Sequence, residues 1–217
     1  MKEGIFQQLF ARLGALYGLP KVSRRGPLEE LISTILSQNT NDQNRDRAFA
    51  ELKRRFSDWE EIALAPLDAL KNTIRVAGLA PTKAPRIQQA LWSIKEKFGH
   101  FLIPQNMEPQ ELLDFLLSLP GVGPKTARCV LLFSYRYPCF PVDTHILRVG
   151  RRLGFIGERE SAASSMQRLD KDVPPELQLP LHLLLIEHGR RTCRPKPACA
   201  LCPLRNLCPF YLGKPLQ

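Results

Sequence analysis

The sequence predicts an all-α protein, and three observations support this fold class. Apolar residues recur three or four positions apart through most of the chain, which places them on one face of a helix. No segment shows the alternating apolar and polar pattern of a half-buried strand. The turns between periodic segments are short and rich in proline and glycine, as in a compact helical protein.

The predicted helices carry start and stop signals in order along the chain. Pro27 opens a helix that runs to Leu36. Glu29 and Glu30 occupy its first turn, where the helix dipole favours acidic side chains. Gly78 is predicted to end a later helix, because glycine readily adopts a left-handed C-cap conformation. The other periodic segments are 1–13, 42–56, 58–64, 66–76, 81–98, 109–117, 125–135, 144–153, 161–169 and 175–188.

The charge balance indicates a polyanionic partner. Lysine and arginine number 31 against 21 acidic residues, which gives a net charge of +10. A basic surface gains affinity for nucleic acid because each neutralised phosphate releases counterions. The alternative is a basic surface without such a partner, and charge alone does not separate the two.

The compartment is predicted from what the chain lacks. No apolar run is long enough for a transmembrane helix. The first residues lack the apolar block and cleavage site of a signal peptide. We therefore expect a cytoplasmic protein that does not enter a membrane.

Four of the six cysteines stand within 16 residues near the end of the chain. They are Cys193, Cys199, Cys202 and Cys208. Disulfides are rare in the cytosol, so closely spaced thiols there are more often metal ligands. The spacing suits a tetrahedral zinc ion or a four-iron cluster and does not choose between them. Cys129 and Cys139 stand apart and are predicted core residues.

A glycine-rich turn joins two apolar helices in the segment 119–127. The turn consists of Gly121, Val122 and Gly123, and a helix begins directly after it. Backbone amides in such a turn can approach an anion closely, which is a way to hold a DNA phosphate without reading sequence. The alternative is an ordinary helical hairpin whose glycines serve packing alone.

Lys125 lies at the start of the helix that follows the turn. A cation there opposes the helix dipole, so this position favours a neutral amine, which is the nucleophilic form. The alternatives are a solvated lysine and a simple phosphate contact.

Asp143 precedes the helix predicted at 144–153 and is a natural N-cap. A cap carboxylate that faces a cleft could also stabilise a developing cation. His145 is predicted to be structural or to lie on the helix surface.

These segments occur in the same order in the endonuclease III group of the helix-hairpin-helix DNA glycosylases, which the chain resembles. The strongest matches are 119–127, 141–149 and the cysteine segment 193–208. Further similar segments are 35–42, 78–84 and 188–190, so the resemblance covers nearly the whole chain.

The resemblance implies a fold of two helical lobes. One lobe is a six-helix barrel with the helix-hairpin-helix motif, at about 26–137. The other joins 1–25 to 138–217 and carries a [4Fe-4S] cluster on the four C-terminal cysteines. The active site would lie in the cleft between the lobes, with Lys125 from one lobe and Asp143 from the other.

The resemblance also implies the activity, a base-excision-repair DNA glycosylase with AP lyase activity. In this family the lysine that matches Lys125 attacks C1′ of a flipped-out nucleotide, expels the base and forms a Schiff base. β-Elimination then cleaves the strand. The aspartate that matches Asp143 helps to deprotonate the amine and stabilises positive charge on the sugar. The expected substrate is an oxidised pyrimidine such as thymine glycol in double-stranded DNA, bound by a monomer.

The same resemblance implies further DNA contacts. Leu79 matches a residue that family members insert into the duplex as an apolar wedge. Gln38 or Asn39 would fill the gap left by the flipped base. Arg194 and Lys196 would contact phosphate, and the turn of Gly121, Val122 and Gly123 is a further candidate for a phosphate contact.

Two departures from the family pattern refine these expectations. Five residues, 194–198, separate the first two cysteines, where most members have six. Thr34 stands where the mismatch-adenine branch has a catalytic glutamate, which argues against adenine removal. The thymine-mismatch branch typically lacks a lysine at the place of Lys125, so its presence favours a bifunctional enzyme.

Three other functions stay open at this point. The enzyme could prefer another base, such as uracil or mismatched thymine, or act mainly on abasic sites. A non-catalytic DNA-binding protein is the third alternative, and it would be indifferent to Lys125→Gln.

Overall fold

The structure is a computed structural model that describes residues 4–21 and 24–214. The first residues of the periodic segment predicted at 1–13 lie outside this range. The described residues form helices and no strand, as the periodicity predicts. None of the described helices is both long and apolar enough to span a membrane.

Eleven α-helices follow one another in the described part of the chain. They are α1 Ile5–Tyr17, α2 Pro27–Ser37, α3 Asp42–Arg55, α4 Trp59–Leu64, α5 Leu67–Thr73, α6 Ala80–Phe98, α7 Pro109–Ser118, α8 Pro124–Val130, α9 Thr144–Leu153, α10 Ala162–Asp172 and α11 Pro175–Arg191. Short 3₁₀ turns lie at Arg75–Ala77, Cys199–Leu201 and Arg205–Leu207.

Two predicted helices end differently from expectation. The segment predicted at 66–76 is helical as α5 only to Thr73 and then tightens into a 3₁₀ turn, a common ending for an α-helix. The segment predicted at 125–135 is α-helical as α8 to Val130 and widens into a π-helical turn over Leu131–Tyr135. The carbonyl of Ser134 in that turn accepts a hydrogen bond from Arg24 Nε at 2.8 Å.

The chain divides into two compact units, which we call the central unit (24–135) and the terminal unit (1–23 with 136–217). In the central unit, α2 is the buried helix and packs against α3, α6 and α8. Its apolar face is fully buried, at Leu31, Ile32, Ile35 and Leu36. Burial on this scale stabilises the unit through the hydrophobic effect. It also fixes the C-terminal end of α2, which the predicted site residues Gln38 and Asn39 follow directly.

The terminal unit is built on α11, which packs against α1 and α9. Its core draws on three segments distant in sequence, with Leu9 and Leu13 from α1, Ile146 from α9 and Leu185 from α11. The cysteine segment follows α11 directly, so this core positions the segment's first residues. Cys129 and Cys139 are buried in the respective units, as predicted for core residues.

Candidate functional site

The glycine-rich turn between α7 and α8 presents its glycines and buries its valine. Gly121 has φ +76°, a left-handed conformation that favours glycine, and is exposed. Val122 is buried and its N–H donates to Leu119 O at 3.1 Å. Gly123 is the exposed N-cap of α8. The turn is therefore anchored by Val122 while its backbone remains accessible.

Gln38, at the end of α2, reaches the same turn. Its Nε2 donates to Gly121 O at 3.1 Å, and Arg86 Nη1 lies 3.5 Å from its Oε1. The stem of Arg86 lies so close to Gly121 that an added Cβ there would be 2.3 Å from Arg86 Cδ. Sequence reasoning missed Arg86, whose position only the packing of α6 against the turn reveals.

This packing predicts that Gly121→Ala destabilises the protein by about 1–2 kcal/mol, because the new Cβ is strained at positive φ and displaces Arg86. Chemical denaturation measures the free energy of unfolding. The matched control is Gly123→Ala in the same turn, where an added Cβ meets nothing within 4 Å. Equal losses in the two variants would contradict the argument from Arg86.

Asn39 and Leu79 both adopt the left-handed conformation, with φ of 52° and 50°. Both are exposed, and Leu79 keeps 52% of its side chain accessible as the N-cap of α6. Gly78 beside it has φ +69°. An apolar side chain held in strained backbone at the surface is the form expected of a wedge.

Lys125 is the second residue of α8 and is partly buried. Its charge acts on Glu30 of α2, together with those of Arg25 and Arg45. Burial raises the pKa of the Glu30 carboxyl, and these cations and a hydrogen bond from Thr34 oppose that rise. Glu30 is thus a partly buried carboxyl group close enough to Lys125 for their charges to interact.

Sequence reasoning assigned Glu30 only to the helix dipole. The signal that could have found it is its place between the buried apolar residues Leu28 and Leu31 on α2. Thr34 lies one turn further along α2 and donates to Glu30 Oε1 at 3.3 Å.

Asp143 is the N-cap of α9, as predicted. Its Oδ1 accepts a hydrogen bond from Ile146 N at 2.8 Å, and the residue is partly buried. The segment before Asp143 is held by a hydrogen bond from Phe140 N to Asp170 Oδ1 at 2.6 Å. The buried His182 is hydrogen-bonded to Pro141 O at 3.0 Å. Asp143 is therefore fixed by its own cap and by the loop behind it.

His145 has the structural surroundings that the sequence predicted. Its Nδ1 lies 3.1 Å from Arg148 Nη2. Gly189 of α11 packs so closely that an added Cβ would lie 2.8 Å from His145 Cβ. This residue serves the contact between α9 and α11.

The four C-terminal cysteines line one cavity in the terminal unit. Arg152 Nη1 donates to Cys193 Sγ at 3.3 Å, and His188 Nε2 lies 3.7 Å from Cys202 Sγ. Burial raises the pKa of the Cys202 and Cys208 thiols, and the neighbouring cysteines raise it further. A metal group bound here would take the cysteines as thiolates and would therefore release their protons.

The donor set on this cavity consists of four cysteine thiols. Within residues 4–21 and 24–214, no three His, Cys, Asp or Glu side chains converge on a point that could hold one metal ion. All four cysteines nevertheless line one cavity, and both a zinc ion and a four-iron cluster take four thiolate ligands.

The shortened loop 194–198 is held by its backbone. Arg152 donates from Nη1 to Arg194 O at 2.7 Å and from Nη2 to Pro195 O at 3.0 Å. Ala198 N donates to Thr192 O at 3.0 Å and closes the loop. The side chains of Arg194 and Lys196 are exposed, as phosphate contacts require.

Comparison with known proteins identifies a family for most of the chain. Residues 32–175 match the HhH-GPD superfamily of base excision DNA repair proteins. The chain is 37% identical to endonuclease III of Thermotoga maritima over 186 residues, 85% of this chain and 84% of that protein. It is 34% identical to a putative DNA glycosylase of Arabidopsis thaliana, but spans only 59% of that protein's length.

Solved structures show the same fold. A trapped endonuclease III–DNA covalent intermediate superposes with a TM-score of 0.84 at 28% identity, covering 98% of both chains. A thermostable thymine-DNA glycosylase superposes with a TM-score of 0.81 at 21% identity, covering 96% of this chain and 95% of that one.

Proposed function

The chain belongs to the HhH-GPD superfamily of base excision DNA repair proteins, and on this basis we propose that it removes oxidised pyrimidines such as thymine glycol from double-stranded DNA. The family match and the endonuclease III relatives confirm the predicted family, the all-α fold class and the predicted enzyme class, a DNA glycosylase with AP lyase activity. The observation that carries the finer proposal is Lys125, partly buried at the start of α8 directly after the glycine-rich turn.

Lys125 is the proposed nucleophile. Its neutral Nζ attacks C1′ of the flipped nucleotide, and the bond from C1′ to the base breaks with the electron pair leaving on the base. The resulting Schiff base acidifies the C2′ proton, whose removal expels the 3′ phosphate by β-elimination. One side chain thereby accounts for both base removal and strand cleavage.

Asp143 is the proposed assistant to this step. Its carboxylate accepts a proton from the Lys125 ammonium and stabilises the positive charge that develops on the sugar. The cap hydrogen bond to Ile146 N holds one carboxylate oxygen, Oδ1, and leaves Oδ2 for this role.

Asn39 is proposed to fill the gap left by the flipped base, with Leu79 as the wedge. The Gln38 side chain donates to the carbonyl of Gly121, whereas Asn39 is exposed in the turn that follows α2. The backbone of Gly121, Val122 and Gly123 would hold phosphate on one unit. Arg194 and Lys196 would hold phosphate on the other.

Cys193, Cys199, Cys202 and Cys208 are proposed to hold a [4Fe-4S] cluster. When bound, the cluster supplies covalent cross-links that fix the cysteine segment onto α11. Arg152 would balance the charge of the thiolates while it holds the loop 194–198. We further propose that the enzyme acts as a monomer on DNA in the cytoplasm.

Borohydride trapping tests the proposal. Protein incubated with a duplex that carries one thymine glycol should form a covalent adduct when the reductant is added. Parallel duplexes carrying uracil or thymine opposite guanine, or a preformed abasic site, distinguish the substrate ranges. Adduct only with the abasic duplex would establish a lyase without pyrimidine excision. Binding to all duplexes without adduct would favour a monofunctional glycosylase or a non-catalytic protein.

The two roles of Asp143 can be separated by substitution. Asp143→Ala is expected to lower the free energy of unfolding by about 1 kcal/mol, because the α9 cap is lost, whereas asparagine retains the cap. Both variants should lose about a hundredfold in single-turnover excision, because both lack the carboxylate. Asp143→Asn with full excision would limit this residue to capping.

A further inference from the structure

Lys83 has a position unlike that of an ordinary lysine. It lies in the first turn of α6 and is only 1% exposed, which makes it one of the largest fully buried side chains among the described residues. Its Nζ donates to Leu36 O at 2.7 Å and to Ala77 O at 2.8 Å, so both acceptors are backbone carbonyls. Such burial of an ammonium persists only where the surroundings gain from it.

The two carbonyls belong to the turns that carry the proposed DNA-inserting residues. Leu36 lies in the last turn of α2, three residues before Asn39. Ala77 ends the 3₁₀ turn two residues before Leu79. The N–H of Lys83 also donates to Leu79 O at 2.9 Å. Lys83 therefore binds the backbone of both turns, the one that carries Asn39 and the one that carries Leu79.

Both turns are strained at their tips. Asn39 and Leu79 are two of the three non-glycine residues with positive φ in residues 4–21 and 24–214. Strained backbone persists only where the surrounding structure determines it. The Lys83 ammonium holds both turns in place because it donates hydrogen bonds to the terminal carbonyls of two helical segments. The helix dipole favours positive charge at these ends.

We propose that Lys83 is a positioning residue that holds the Asn39 turn and the Leu79 turn as one rigid surface for insertion into double-stranded DNA. The two side chains then enter the duplex at a fixed separation. Leu79 unstacks the bases as a wedge, and Asn39 fills the gap that the flipped base leaves. This inference rests on the proposed function of the two turns and adds the device that couples them.

The pKa of Lys83 agrees with this geometry. Burial lowers it to about 8, so the ammonium form is retained at neutral pH with its donors directed at the two carbonyls.

The test compares a reaction that needs insertion with one that does not. Excision of a base from a duplex requires the nucleotide to be extruded, whereas cleavage of an abasic site in single-stranded DNA requires only the amine chemistry. Lys83→Met replaces the ammonium with an apolar chain of similar length. Ile94→Ala is the matched control, because it creates a core defect on the same helix at a fully buried residue.

Lys83→Met is expected to lower duplex excision by about tenfold or more, because a small misplacement of positioning groups has effects of this size. Cleavage of single-stranded abasic DNA should stay within about twofold, and Ile94→Ala should leave the ratio of the two reactions unchanged. An unchanged ratio in Lys83→Met would overturn the proposal.

Lys83→Gln serves as the second variant, since it keeps N–H donors without the charge and should show a smaller loss in the same ratio. If neither lysine variant folds where Ile94→Ala does, the residue is purely structural and the proposal is wrong. If wild-type protein lacks both reactions, the proposed function fails instead, which is a different outcome from a failure of the coupling.

Discussion

The Lys125→Gln variant is expected to lose strand cleavage and borohydride trapping by a factor of about a thousand or more. Glutamine has similar size and polarity but no amine, so no Schiff base can form. Because Lys125 is only partly buried and lies in the first turn of α8, the substitution should leave folding intact. Denaturation and duplex binding should therefore match wild type while the chemistry disappears.

The measurement is single-turnover cleavage of a thymine glycol duplex, followed by separation of covalent adducts after reduction. Lys71→Gln is the matched control: it makes the same chemical change in the central unit, at a lysine whose ion pair is with Asp68. That control should cleave and trap as wild type does. Undiminished trapping by Lys125→Gln would place the nucleophile at another amine.

A third outcome would be informative about mechanism. If Lys125→Gln still releases the base but no longer cleaves the strand, water and Asp143 suffice for excision and Lys125 serves only the lyase step. Loss of both reactions is the result that the bifunctional mechanism requires. A non-catalytic protein would show neither reaction in wild type.

The helices could be predicted because a helix with one buried face has apolar residues three or four positions apart in the sequence. α2 shows this well: its spacing of Leu31, Ile35 and Leu36 follows directly from the core it faces. The 3₁₀ turn at Arg75–Ala77 could not be predicted in the same way, since a change from four-residue to three-residue hydrogen bonding does not alter which residues are apolar. The same is true of the π-helical turn at Leu131–Tyr135.

The site was predictable where its chemistry is local. Asp143 was recognised as a cap from its own segment, and the hydrogen bond to Ile146 N confirms that prediction. The catalytic role of Asp143 stays a prediction. The roles of Lys83 and Arg86 could not be predicted from the sequence, because a basic residue in a helical pattern is normally solvated. Only the packing of α6 against the end of α2 and the hairpin turn reveals their partners.

The Cys202→Ala variant is expected to lose the proposed cluster and most of the stability of the terminal unit. Cys202 lies on the cavity wall with the three other cysteines and beside the buried His188. In the proposed cluster, loss of one thiolate would leave one iron without a protein ligand. Because the binding energy of a structural metal group is also folding energy, the loss should be on the order of 5 kcal/mol or more, comparable to the stability of a whole domain.

Three measurements check this expectation: iron per protein, the visible absorbance of the purified protein, and thermal unfolding. Cys139→Ala is the matched control, a buried cysteine of the same unit that does not line the cavity. It should retain iron and lose only about 1 kcal/mol, as for other small deletions in a core. Chelation of iron from wild type should reproduce the Cys202→Ala unfolding curve, since both remove the same cross-link. Soluble Cys202→Ala protein without iron and with undiminished turnover would show that the four cysteines are dispensable for the fold. The loop 194–198 would then be held by Arg152 and by the hydrogen bond from Ala198 N to Thr192 O.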